Sequence, residues 1–285
     1  MRQWIPNLMM GVMAVAVAGC MGRKDPADEV LGSLNVIDAS NLNDVMLSAA
    51  DPAEAVAYFQ KSAAEAPERI EFRRGLAASL VKAKRYPEAS AAWQNVLALP
   101  DASSADRVNY ADAQIRNGDW NGASRTLNTV PPTVETYQRY RLEAIVADSR
   151  KDWARADSFY QTAAGLTTQP ASVLNNWGYS FMSRGKFARA EALFGQALQH
   201  DPQLFTAKNN LVMARGAQRH YELPVIPMSQ IERAQLLHTL GLTAIKQNDI
   251  STGKDLLRDA IETHPQYFEA AARSLAALEG TAQGG

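Results

Sequence analysis

At 285 residues the chain has room for one or two globular domains, unless it is an array of repeats. A formal charge of −1 and a pI near 6.4 give no basic excess for nucleic acid. A single cysteine excludes disulfides within the chain, and no Walker, G-x-S-x-G, H-E-x-x-H or paired-cysteine pattern is present, so no enzyme activity and no cofactor is expected.

Residues 1–19 read as a signal peptide. Arg2 gives a positive start, and Leu8 to Ala18 is an uncharged apolar run too short for a comfortable membrane span. Val17-Ala18-Gly19-Cys20 then looks like the bacterial lipobox. That resemblance implies cleavage before Cys20, diacylglycerol on its thiol and acylation of the new amine. Several acyl chains anchor far better than one. Met21, rather than an acidic residue, follows Cys20, which by the same resemblance implies the outer membrane, with the chain facing the periplasm. Residues 20–35 form the lipidated cysteine and its tether.

From residue 36 a repeat governs the sequence. A small residue precedes a large one by four positions at Ala55/Phe59, Ala89/Trp93, Ala123/Leu127, Ala156/Tyr160, Ala190/Phe194 and Gly253/Leu257. An aromatic or isoleucine stands three residues before the small one at Tyr86, Trp120, Trp153, Phe187 and Ile250, and prolines mark the exits. The period of about 34 residues divides 36–204 into five helix pairs. In the first, Leu42, Val45 and Met46 are the apolar positions of a degenerate leading helix. A final unit with a capping helix covers 234–280, the cap reading from Tyr267 to Leu278, and 281–285 is expected to be a disordered tail.

The clearest unit is Ala171 to Leu204. Leu174, Trp177 and Phe181 form one helical stripe, with Gly178 inside it where a second helix comes close. Phe187, Ala190, Phe194 and Ala197 form the next, and Asp201-Pro202 ends it. The pattern L-x2-W-G-x2-F, A-x3-F, P is similar to the tetratricopeptide repeat. The expected fold is therefore all-α, a right-handed superhelix of helix pairs in which each unit buries its face only against its neighbours.

Residues 205–233 break the period. A first helix runs on to Ala217, but Pro224 and Pro227 forbid the second, and Ser229-x-x-Glu232 opens the next helix as a capping box. Leu223, Val225 and Ile226 either fill the gap or form a docking strand.

First helices of such a stack line its inner face. Beside the buried stripe of Ala171–Leu204 run Ser172, Asn175, Tyr179 and Met182, with Thr206, Asn209 and Met213 one unit on. Asn175 and Asn209 are expected to stack, with Asn176 and Asn210 alongside. An amide ladder beside Tyr179 and Met213 suits the backbone of an extended peptide; asparagines that merely tolerate a solvated face are the alternative. His200 and His264 end second helices, where a cation suits the helix dipole. With His220 and His238 they lack metal-ligand spacing. The Lys/Arg set with which other tetratricopeptide domains clamp a terminal carboxylate is missing.

The chain as a whole resembles the TadD family of tight-adherence (Flp-type) pilus assembly lipoproteins. The most specific pieces are Ala207-Lys-Asn-Asn-Leu-Val-Met-Ala-Arg-Gly216, Leu223-Pro-Val-Ile-Pro-Met228 and Glu262-Thr-His-Pro-Gln-Tyr-Phe-Glu-Ala270. That resemblance implies a pilotin-like, non-catalytic adaptor for an outer-membrane secretin or its partners. Lipid-anchored repeat proteins of β-barrel assembly share the repeats, and a periplasmic scaffold presenting substrates to a protease or cell-wall enzyme is the alternative from a different class.

Overall fold

The computed structural model of the protein describes residues 42–280. Cys20, the tether and residues 281–285 lie outside the described residues. After a short helix over residues 42–48, the helices in chain order are α1 (Pro52–Glu65), α2 (Ile70–Lys82), α3 (Tyr86–Leu97), α4 (Ser104–Arg116), α5 (Trp120–Asn128) and α6 (Tyr137–Ser149). There follow α7 (Trp153–Gly165), α8 (Ala171–Ser183), α9 (Phe187–His200), α10 (Phe205–Ala217), α11 (Gln230–Lys246), α12 (Ile250–Thr263) and α13 (Glu269–Gly280). Among the described residues every regular element is helical, and the helices stack in order as a tetratricopeptide-type solenoid.

Side chains at the helix starts satisfy the free N–H groups there. Asp51, Asp119, Asp152 and Asp249 each accept a backbone N–H of the following turn. Ser103 with Asp106, and Ser229 with Glu232, close capping boxes. The exits of the leading helices repeat one device. Lys84, Gly118, Lys151, Gly185, Arg219 and Asn248 all have φ between 59° and 80°. The next backbone N–H then returns to a carbonyl in the helix just ended, as Lys186 does to Phe181 at 2.9 Å and His220 to Arg215 at 3.0 Å.

The small-then-large pairs are the core. Ala55, Ala89, Ala123, Ala156 and Ala190, with Phe59, Trp93, Leu127, Tyr160 and Phe194, are all buried, as are Gly253 and Leu257. Alanine at the crossing lets the large side chain of the same helix reach a neighbouring helix. Gly178 takes this to its limit: a Cβ there would lie 2.6 Å from the Phe194 ring. Trp177 is half-buried, because its Nε1–H donates to Asp157 at 2.7 Å.

The leading helix of the first unit differs from expectation. Residues 42–48 are helical, but Leu42 and Val45 are 45% and 53% exposed. The buried residue is Asn43, which accepts from the Tyr58 hydroxyl at 2.9 Å. With no unit in front among the described residues, the apolar side chains there have nothing to pack against. At the other end the capping helix starts at Glu269, and Tyr267 stands 77% exposed before it.

The broken unit is resolved simply. Arg219 makes the same left-handed turn as the five complete pairs, and no helix follows. Residues 218–229 run back beside α10 instead. An extended strand advances about 3.3 Å per residue against 1.5 Å in a helix, so a few residues cover the return. Leu223, Tyr221 and Met228 pack on the C-terminal core and Ile226 on the core of α8–α10, so they fill the gap. Val225 does not: it is fully exposed. α11 then runs parallel to α10. Lys208 meets Glu232 at the first ends, and Gly216 meets Leu240 and Thr243 towards the last.

Candidate functional site

The leading helices α6, α8 and α10 line a groove of about 800 Å³. Its walls include Asn175, Asn176, Tyr179, Asn209 and Asn210 of the expected ladder, and Thr206. Met213 is not among its lining residues; its Sδ accepts from Asn209 Nδ2 at 3.5 Å, and 36% of the residue is exposed.

The register of the ladder differs by one residue from the expected one. Asn210, not Asn209, reaches across to α8: its Nδ2 donates to Asn175 Oδ1 at 3.0 Å. Asn209 turns the other way and accepts from Thr239 of α11 at 2.8 Å. A helical step of about 100° per residue puts neighbours on different faces, so two consecutive asparagines serve two interfaces. Each amide group keeps further donors or acceptors unspent.

A polar network that the ladder did not foretell reaches the groove through Asp148, Tyr160 and Ser180. Asp148, at the end of α6, accepts from Ser180 Oγ at 2.6 Å and from the Tyr160 hydroxyl at 2.9 Å. Ser180 in turn accepts from Arg184 at 2.8 Å. Arg184 holds Asp157 with two bonds of 2.6 and 3.0 Å, and Trp177 donates to the same carboxylate. Burial pushes the Asp148 carboxyl above the ordinary carboxylate range, more than its two hydroxyl donors pull it down. Asp157 is also partly buried, but Arg184 and Trp177 offset that and hold it low. Burial, with the Asp148 charge beside it, pushes the Tyr160 phenol up.

Two tryptophans, Trp120 and Trp153, and Arg141 complete this half of the groove. Arg141 lies 3.6 Å from Asp112 of α4, and its Nε is buried without a partner. Beyond that ion pair the inner face continues as a second groove of about 580 Å³ over residues 42–48, α2 and α4, with Phe59, Ala78, Val81 and Trp93 in its walls. The signal for Asp148 was present in the period. Moving Tyr179 and Met182 back by one repeat of 34 residues gives Ile145 and Asp148, and Asn175 gives Arg141.

Tetratricopeptide-repeat family models match residues 46–104 and 171–204. No curated protein matches the chain in sequence. Among solved structures, a chain of the APC/C hetero-tetramer Cut9-Hcn1 is similar at 12% identity and a TM-score of 0.60, over 83% of this chain and 48% of that one. A tetratricopeptide repeat protein from Parabacteroides merdae aligns over 89% of this chain and 98% of its own, at 11% identity and a TM-score of 0.55. The human IFIT1 dimer with PPP-AAAA gives 14% identity and a TM-score of 0.56, over 80% of this chain and 59% of its own. This chain thus spans about half of the first of these structures, and at such identities the likeness is one of fold. With the two repeat matches and the helix-pair stack, it shows a tetratricopeptide-type solenoid fold, with matched repeats over residues 46–104 and 171–204.

Proposed function

We propose that this protein is a non-catalytic adaptor whose inner groove over α6, α8 and α10 grips an extended segment of another protein. The observation that carries this reading is the groove itself, of about 800 Å³, with amides from two neighbouring helices on its wall and Tyr179 57% exposed beside them. An extended chain offers alternating donors and acceptors, and asparagine side chains answer both.

The family resemblance supports a finer reading: a lipid-anchored, pilotin-like adaptor of a tight-adherence pilus system, held at Cys20 in the outer membrane and directed at the secretin or its partners. The alternative remains a periplasmic scaffold for a protease or cell-wall enzyme. Capture from detergent-solubilised outer membranes separates the two. Recovery of a secretin or pilus assembly protein supports the adaptor, and recovery of a hydrolase supports the scaffold. Loss of either with Asn175→Ala, Asn209→Ala and Tyr179→Ala combined, at an unchanged thermal midpoint, assigns the groove; equal capture by the two proteins removes it. Mass spectrometry of the mature N-terminus tests the anchor, which an unmodified Cys20 in native protein would overturn.

A further inference from the structure

We propose that the groove selects a segment carrying a lysine or arginine side chain, and that Asp148 is the residue that recognises it. This rests on the reading of the groove as a peptide site and names the chemistry of its ligand.

Charge complementarity carries the argument. Of the groove's lining residues only Arg141 and Asp148 are charged. Arg141 lies 3.6 Å from Asp112, a carboxylate that Arg116 also holds. Asp148 has no ion-pair partner among the described residues: its two hydrogen bonds come from the neutral hydroxyls of Ser180 and Tyr160. Arg184, the basic group that bears on it through space, is committed to Asp157 by two bonds. A half-buried carboxylate without a cation is costly, and an incoming cation relieves that cost. Each Asp148 oxygen accepts one bond, which leaves acceptor positions for an ammonium or guanidinium.

The rest of the side chain is also provided for. Lysine and arginine carry aliphatic stems that prefer apolar surface while the head stays polar. Trp120 and Tyr179, 40% and 57% exposed, and Trp153 present aromatic surface in the same groove. A cation beside such rings gains further attraction from their faces. An acidic side chain would meet Asp148 unfavourably.

The test is selection of phage-displayed random dodecapeptides on the full chain and on its Asp148→Asn variant. Asparagine at 148 keeps an acceptor oxygen for one of the two hydroxyls, and its Nδ2 donates to the oxygen of the other; a thermal melt verifies that the fold is retained. On the wild type, the enriched peptides should share a lysine or arginine at one aligned position; on Asp148→Asn, that preference should vanish. Replacing the shared residue by norleucine in the leading peptide should weaken binding to the wild type roughly tenfold and leave binding to the variant unchanged. Enriched peptides that need Asn175, Asn209 and Tyr179 but show no basic preference would overturn this inference and leave the groove reading standing. Peptides that bind regardless of those three residues, or no enrichment at all, would overturn both.

Discussion

The ammonium of Lys208, which is wholly buried, donates to Glu232 at 3.0 Å across the place where a second helix is missing. Glu232 also accepts the Ser229 backbone N–H at 2.8 Å, and that bond, with Lys208, holds its carboxyl below the ordinary range. One residue thus caps α11 and fixes it to α10. Glu232→Gln should cost about 3 kcal/mol, the low end of the range for breaking a buried pair, because a fifth of the Glu232 side chain meets solvent. Lys208→Met should cost much less, since it removes the buried charge together with its need for a partner. Urea titration of both variants checks the order, and a Lys208→Met loss equal to that of Glu232→Gln would refute it.

Phe194 and Gly178 test the repeat packing. Phe194 is fully buried, and Phe194→Ala should cost roughly 3–5 kcal/mol. Gly178→Ala adds a single carbon where 2.6 Å is available, and overpacking of this kind costs about 1–3 kcal/mol. The double variant should lose less than the sum, because the smaller residue at 194 makes room for the new methyl. Chemical denaturation of the four proteins measures that coupling.

Lys84 and Lys151 offer the opposite sign. Both are exposed, and both hold φ at 59°, a conformation that disfavours side chains with a Cβ. Gly118 and Gly185 occupy the same turn elsewhere in the array. Lys84→Gly and Lys151→Gly should each leave stability unchanged or raise it by up to about 1 kcal/mol. A fall of that size in the thermal unfolding free energy would contradict the turn geometry.

Asp106 and Asp148 should respond to pH in opposite directions. Burial raises the Asp106 carboxyl, but two bonds from Arg74 at 2.8 Å and those from Ser103 outweigh it and leave it low. Its stabilisation is present above the unfolded value of about 3.9 and is lost as pH falls through the depressed folded value. Asp148 is raised, so between the unfolded and folded values the native state binds more protons, and stability falls as pH rises. Thermal midpoints from pH 3 to 8 should show Asp106→Asn losing its deficit in acid. They should show Asp148→Asn no less stable than wild type at neutral pH, with its advantage shrinking as pH falls through the raised folded value and gone below the unfolded value of about 3.9.

The fold was legible because its signal repeats. A buried small residue four before a buried large one recurs through the array, and tertiary packing in a stack of neighbours is itself local. The gap at Pro224 and Pro227 was equally plain, since proline acts through the backbone. The site was legible only in part. Asn175 and Tyr179 lie on the groove, yet which asparagine bonds to which depends on helix rotation, and Asn210 takes the place expected of Asn209. Asp148 escaped notice because a carboxylate in a single sequence reads as solvated; its isolation follows from where Ser180, Tyr160 and Arg184 converge. Leu42 and Val45 misled because an apolar residue needs a neighbour to be core.

The return segment after Arg219 makes this chain divisible. Val225 stands in solvent, and the backbone there belongs to no helix. A cut at that point breaks no helix, and the faces of α10 and α11 that hold the halves together are untouched. Residues on either side of Val225 could then be produced as two polypeptides that find each other again. The Lys208–Glu232 contact would become the join between them.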